Sequence, residues 1–148
     1  EARFFDQLEK LYVGSLVSGE EGNAAMWRKI FVDGSPERHF SPAAARSALF
    51  IMLYRDEPIF QQAFRFLDSL LDIDTVMASW RARHISMVHR MIGLRVGTGG
   101  STGKNYLKGA MDSHHIFSEV ADLSSFLFER RKLPALPADL KRAMGFRA

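Results

Sequence analysis

Residues 71–93 read LDIDTVMASWRARHISMVHRMIG, and the glycine-rich stretch GTGGSTG follows at residues 97–103. When the first stretch is placed on a helical wheel at 100° per residue, its apolar side chains gather around His84. The members of this face within about 60° of His84 are Ile73, Met77, Trp80, Met87, Val88 and Met91. The pattern predicts an amphipathic helix, ending near Gly93, that directs His84 into the protein and His89 away from it.

Helical spacing also dominates the N-terminal side of this stretch. Residues 4–12 repeat apolar side chains at three- and four-residue steps, which predicts a first helix. Residues 19–40 are rich in glycine and polar residues and predict a loop that carries one short helix. Ser41 and Pro42 then supply the cap and the first position of a helix that continues toward Pro58.

The remaining segments complete an all-α prediction. A further helix is expected through residues 60–71, and Asp72 or Asp74 is expected to cap the long helix that carries His84. Two more helices are predicted, one beginning at Tyr106 and one over residues 116–128. No alternation of the β type lasts long enough to indicate a sheet.

Composition limits the class of protein. The chain has 148 residues, of which 47% are hydrophobic, and this predicts one globular domain over residues 1–148. It contains no cysteine, which excludes disulfides and thiolate metal ligands. The net charge of +3, without a nucleic-acid-reading motif, predicts no nucleic-acid partner. The absence of a long apolar run or a leader pattern predicts a cytoplasmic protein with no membrane partner.

Two other patterns in the sequence resemble binding sites. The run GTGGSTGK at residues 97–104 resembles a phosphate-binding loop, but its first glycine is one residue too distant, Asn105 replaces the hydroxyl residue, and a helix precedes it. The neighbours His114 and His115 point about 100° apart on a helix, which favours a surface position over a shared metal.

His84 itself allows two interpretations from pattern alone. An inward histidine on an apolar face is often a core residue whose ring nitrogens meet carbonyl partners. It can also be an axial ligand of a haem, because a porphyrin needs apolar walls and its iron needs a nitrogen donor. The helical pattern leaves both interpretations open.

Several separated motifs nevertheless resemble the tryptophan 2,3-dioxygenase family over roughly residues 38–140. They are LYRDEP at 53–58, LDID at 71–74, WR at 80–81, His84, MVHRMIG at 87–93, GTGGS at 97–101, Gly103, YL at 106–107 and Leu133-Pro134. The resemblance implies a helical bundle around a haem b pocket, with His84 as the proximal iron ligand and Trp80 and Tyr106 beside it. It further implies that Thr98, together with Gly97 and Gly99, contacts the amino-acid end of the substrate.

The implied reaction inserts both atoms of O2 across the indole C2–C3 bond of L-tryptophan to give N-formylkynurenine, in a homotetramer. Two departures leave alternatives open. Family members have a longer chain whose N-terminal half supplies the distal pocket, so this sequence is either part of a longer enzyme or completed by a second polypeptide. Residues 116–123 and 1–37 match the family pattern poorly, which keeps open a haem monooxygenase acting on a modified indole in natural-product biosynthesis. The third hypothesis is a haem-binding or purely structural helical segment that has no catalytic activity of its own.

Overall fold

The computed structural model describes residues 2–92 and 115–145. Over these two ranges the chain is helical and contains no strand, which confirms the all-α prediction. The α-helices are α1 (Ala2–Val13), α2 (Glu21–Arg28), α3 (Pro42–Leu53), α4 (Gln61–Ile92), α5 (Ser118–Asp122) and α6 (Ala138–Ala143). A π-helical turn covers Lys29–Asp33, and 3₁₀ turns cover Pro58–Phe60, Leu123–Phe126 and Arg130–Lys132.

The chain divides into two compact units. The first contains residues 1–67 and 119–148, and the second contains residues 68–118. The second unit is where the His84 stretch lies. A single domain over residues 1–148 stays a prediction.

Aromatic side chains form the core of the first unit. The Trp27 side chain is fully buried and stacks on the Tyr12 ring, with 4.8 Å between ring centroids and 23° between ring planes. Phe31 and Phe126 also contact the indole, at 4.7 and 5.8 Å between centroids. The four-residue step from Leu8 to Tyr12 places both buried side chains on one face of α1. The predicted amphipathic first helix is therefore confirmed.

The predicted loop with a short helix holds more helix than expected. α2 continues directly into the π-helical turn Lys29–Asp33, and Gly34 follows with a φ of 78°, in the left-handed region that favours glycine. A π turn leaves carbonyl groups without their usual helical donors. Here Arg46 donates a hydrogen bond from Nη1 to the carbonyl oxygen of Phe31, at 2.5 Å. This contact ties the turn to α3.

The predicted start of α3 is confirmed in detail. The Oγ of Ser41 accepts a hydrogen bond from the backbone N–H of Ala44 at 3.2 Å, and Pro42 occupies the first helical turn. A serine cap satisfies one of the N–H groups that a helix leaves free at its start. The buried side chains of α3, which include Ala45 and Leu49, then face the core.

The predicted helix boundary at Asp72 or Asp74 is wrong. α4 runs without a break from Gln61 to Ile92, and both aspartates lie in its interior. The Asp74 side chain is 6% exposed, and its carboxylate accepts the backbone N–H groups of Ile116 at 2.9 Å and Phe117 at 2.7 Å. An aspartate disfavours a helix interior mainly when its side chain competes for local backbone groups. Distant partners remove that competition here.

The last predicted helix, over residues 116–128, is only partly confirmed. α5 is short, and the chain continues through the 3₁₀ turn Leu123–Phe126 before it becomes extended at Leu127. The buried side chains Val120, Leu123 and Phe126 recur at three-residue steps, and this is the period of a 3₁₀-helix. The helix predicted to begin at Tyr106 lies outside the described residues.

Glu119 joins α5 to the turn before α3. Its carboxylate accepts the backbone N–H groups of His39 at 2.7 Å and Phe40 at 3.0 Å, and the Arg38 Nε lies 3.4 Å away. Burial on its own would raise the pKa of Glu119. The hydrogen bonds from His39 and Phe40 and the charge of Arg38 outweigh that effect, so the pKa lies below its usual value.

Candidate functional site

Within the second unit, α4 places Trp80 and His84 one helical turn apart. Residues at positions i and i+4 are neighbours on a helix surface, so the two rings meet. The indole lies nearly parallel to the imidazole, with 5.2 Å between ring centroids and 14° between ring planes. A flat ring against the imidazole restricts the rotation of that imidazole. The sequence predicted this neighbourhood, and the structure places the two rings together.

The helix face around this pair is apolar and open. Trp80 is 56% exposed, and His84 is also exposed. Within the second unit, four other large apolar side chains on this side of α4 are also exposed. We call the five apolar residues the open stripe: Ile73, Val76, Trp80, Met87 and Met91. Contiguous exposed apolar surface is typical of a face that binds a partner or a ligand.

The prediction that His84 points into the protein is wrong for the described chain. Periodicity shows which side chains share a face of a helix, but it does not show what covers that face. His84 shares its face with the open stripe, so its imidazole is accessible. The expectation for His89 is confirmed, because its side chain is exposed and lies about 140° around the helix from His84.

The predicted apolar face divides into two flanks. Met77 and Val88 are half-buried, and the buried Asp74 lies on the same side of His84 as these two residues. The open stripe occupies the other flank. Val76 belongs to that stripe but was not predicted as part of the apolar face. It lies about 80° around the helix from His84, just beyond the limit of about 60° that defined that face. The burial of Asp74 was also missed, although its position beside Met77 on the wheel was visible in the sequence.

The other predicted site residues lie outside the described residues. These are Gly97, Thr98, Gly99 and Tyr106. His114 lies outside them as well, whereas His115 is exposed, as expected of a surface residue. Among the residues that the structure describes, no three histidine or acidic side chains form a metal-binding group. Nor does any helix in the described ranges have the length and apolar character needed to cross a membrane.

Comparison with known proteins decides the family. A family model described as tryptophan 2,3-dioxygenase matches residues 25–127, a range that contains the whole of α4. The chain belongs to the tryptophan 2,3-dioxygenase family. The match begins at residue 25, earlier than the resemblance that was placed over roughly residues 38–140, and it includes the second half of α2. It ends before the Leu133-Pro134 pair that contributed to the resemblance.

Curated relatives carry the same family name in vertebrates and bacteria. A tryptophan 2,3-dioxygenase of Xenopus tropicalis is 48% identical over 101 residues, which are 68% of this chain and 25% of the relative. The tryptophan 2,3-dioxygenase of Bdellovibrio bacteriovorus is 45% identical over 103 residues, which are 70% of this chain and 29% of the relative. The tryptophan 2,3-dioxygenase of Alteromonas mediterranea is 41% identical over 113 residues, which are 76% of this chain and 31% of the relative. The aligned part of this tryptophan 2,3-dioxygenase family member therefore spans between a quarter and a third of these relatives.

The described part of the site has the chemistry that one side of a haem pocket requires. A haem iron receives four nitrogens from the porphyrin, so a single accessible imidazole is enough protein ligand on one side. His84 offers that imidazole, and Trp80 holds one ring face of it. The open stripe offers apolar surface of the kind that a porphyrin buries. The residues present fit a haem.

Proposed function

We propose that this chain forms the proximal haem side of a tryptophan 2,3-dioxygenase, an oxygenase that inserts both atoms of O2 across the indole C2–C3 bond of L-tryptophan. The product is N-formylkynurenine. The observation that carries the proposal is the stacked pair Trp80 and His84 in an open apolar stripe, inside the segment that matches the family model. The family name of the relatives supports this reaction over that of a monooxygenase.

His84 holds the cofactor in this proposal. The cofactor would be haem b, and the His84 imidazole would supply the nitrogen that holds its iron. When bound, the haem supplies the oxygen chemistry, and the protein supplies binding, orientation and a dry pocket. Trp80 limits rotation of the imidazole and covers one side of it, which is the kind of support that tunes a ligand. The apolar residues of the open stripe keep water from the bound cofactor.

Substrate contacts are assigned to the chain that follows α4. Thr98, with Gly97 and Gly99, is proposed to contact the carboxylate and ammonium end of L-tryptophan, and Tyr106 is proposed to lie beside the haem with Trp80. Backbone N–H groups of a glycine-rich stretch can approach a carboxylate closely because no Cβ intervenes. These assignments rest on the family resemblance of these positions.

The open stripe covers only one side of a cofactor, so the other wall and the distal pocket must come from elsewhere. We propose that they come either from the remaining part of a longer chain or from a second polypeptide. The relatives, of which this chain aligns with 25–31%, are long enough to contain such a part. A homotetramer in the cytoplasm completes the proposal, and it follows the family resemblance.

The product of the reaction tests the proposal. The complete protein is loaded with haem, reduced, mixed with L-tryptophan and exposed to isotopically labelled O2. We expect N-formylkynurenine with both added oxygen atoms labelled. One labelled oxygen in an unopened indole identifies a monooxygenase, and haem uptake without any turnover identifies a helical piece that lacks independent catalysis.

A further inference from the structure

Arg83 lies at the edge of the open stripe, one residue before His84. On the helical wheel it is about 100° from His84, just beyond Val76. Its side chain is exposed, and no acidic residue lies three or four positions away from it on α4. Among the residues that the structure describes, no carboxylate forms an ion pair with Arg83. Within this part of the chain, Arg83 therefore adds a positive charge without an acidic partner to the edge of an apolar surface.

Two other arginines of α4 have different surroundings. Arg81 lies about 60° from His84 on the other flank of the helix, and its side chain is half-buried. Arg90 is exposed on the same side as Arg83, but its Nε donates a hydrogen bond to the carbonyl oxygen of Ser86 at 3.3 Å. At 1.5 Å per residue, Arg90 lies about 9 Å beyond His84 along the helix axis, whereas Arg83 lies about 1.5 Å before it. Of these three arginines, only Arg83 is both level with His84 and on the open side.

Haem b has two propionate carboxylates at its rim, in addition to its apolar porphyrin faces. A guanidinium group binds a carboxylate through two parallel N–H donors, which makes arginine well suited to this contact. In the proposed function the His84 side chain would point at the iron, and therefore at the centre of the porphyrin. A side chain about a quarter of a turn around the helix then points along the porphyrin plane, toward the rim. Arg83 has this relation to His84.

We propose that Arg83 binds a propionate carboxylate of the haem and fixes the orientation of the cofactor on the open stripe. A single nitrogen ligand leaves the haem free to turn about the bond to its iron, and an apolar surface is not directional. A charged contact at the rim removes that freedom. The inference rests on the proposed function, because the haem belongs to it.

The test compares two forms of the cofactor, haem b and its dimethyl ester, in which both propionates are uncharged. The complete protein is titrated with each form, and the dissociation constant is read from the absorption spectrum. For Arg83→Gln we expect the dissociation constant of haem b to rise about tenfold, because a charge-assisted contact is lost. The dissociation constant of the dimethyl ester should stay within about twofold of wild type. Arg83→Lys, which keeps the charge but not the paired donors, should give an intermediate loss for haem b.

Arg90→Gln is the matched control, since it removes the same charge from an exposed position on the same side of α4. It should bind both forms within about twofold of wild type. An equal loss of haem b affinity in Arg90→Gln means a general attraction between cations and an anionic cofactor, and overturns the inference.

Two results with Arg83→Gln also overturn the inference. Unchanged affinity for haem b means that no propionate contacts Arg83, and an equal loss for haem b and the ester means that the contact does not involve the carboxylates. In both cases a histidine-type ferrous spectrum in the wild-type protein leaves the proposed function standing. A wild-type protein that takes up neither form refutes the proposed function, and this inference with it.

Discussion

The indole ring of Trp80 stacks on the imidazole ring of His84, with 5.2 Å between ring centroids and 14° between ring planes. Both side chains are exposed, so the contact arises from the spacing along one helix and not from burial in a core. An exposed stacked pair at the centre of an apolar stripe is poorly explained as a stabilising feature of this chain. The proposed function gives this pair a role, with His84 as the ligand of a cofactor and Trp80 as its support.

Replacement of the proposed iron ligand gives the first prediction. His84→Ala is expected to abolish the spectrum of a histidine-ligated ferrous haem, because in the proposed function the imidazole would supply the protein nitrogen that holds the iron. His89→Ala is the matched control, since His89 is exposed on the opposite side of the same helix. Absorption spectra of both variants after haem addition and reduction provide the measurement. Equal spectra from His84→Ala and wild type would return His84 to the role of an ordinary surface histidine.

The two tryptophans are expected to respond in opposite ways to replacement. Trp27→Ala should lower the free energy of unfolding by about 3–5 kcal/mol, because a fully buried indole is lost from the aromatic core. Trp80→Ala should change it by less than about 0.5 kcal/mol, because its side chain is largely exposed. Only Trp80→Ala should weaken haem affinity specifically. Chemical unfolding of the haem-free protein and haem titration measure the two effects, and a large stability loss in Trp80→Ala contradicts the assignment.

A substrate-binding role for Thr98 predicts a change in tryptophan binding. Thr98→Ala is expected to weaken the binding of L-tryptophan to the haem-loaded protein by about tenfold, since a hydrogen bond to a charged group is lost. Thr102→Ala, in the same glycine-rich stretch, is the control and should bind as wild type does. The shift of the haem absorption on addition of tryptophan reports the affinity. Wild-type affinity and turnover in Thr98→Ala would remove Thr98 from the substrate site.

The Glu119 contact predicts a pH-dependent contribution to stability. The pKa of Glu119 is lowered from its usual 4.5 in the folded chain, so its contribution is full above about pH 5 and is lost as the pH falls through the folded pKa. Glu119→Gln should therefore lower the free energy of unfolding by about 1–2 kcal/mol at pH 7. The difference from wild type should shrink as the solution is acidified below the folded pKa.

Glu37→Gln is the control for that experiment. Its side chain is 83% exposed and lies 3.9 Å from Lys29, and such a surface pair contributes little to stability. Equilibrium unfolding at several pH values between 3 and 7 compares both variants with wild type. If Glu119→Gln lowers the free energy of unfolding by as much at pH 3 as at pH 7, the assigned pH dependence is wrong.

Local sequence features predicted much of the helical structure. The serine cap at Ser41, the apolar steps in residues 4–12 and the order of most helices are confirmed. The predicted helix boundary at Asp72 or Asp74 is wrong, because a cap prediction assumes that the aspartate side chain accepts hydrogen bonds from its own helix. Asp74 bonds instead to Ile116 and Phe117, whose distance in sequence hides the partnership from any local pattern.

The candidate site shows the same division between local pattern and tertiary contact. The sequence determined that Trp80 and His84 meet, because a spacing of four residues on a helix leaves their rings few other arrangements. Only the tertiary structure decided that the face around His84 is open while the flank of Asp74 is buried. Helical periodicity records which side chains point the same way. Burial depends on which distant segments pack against them, and that information does not lie within the helix.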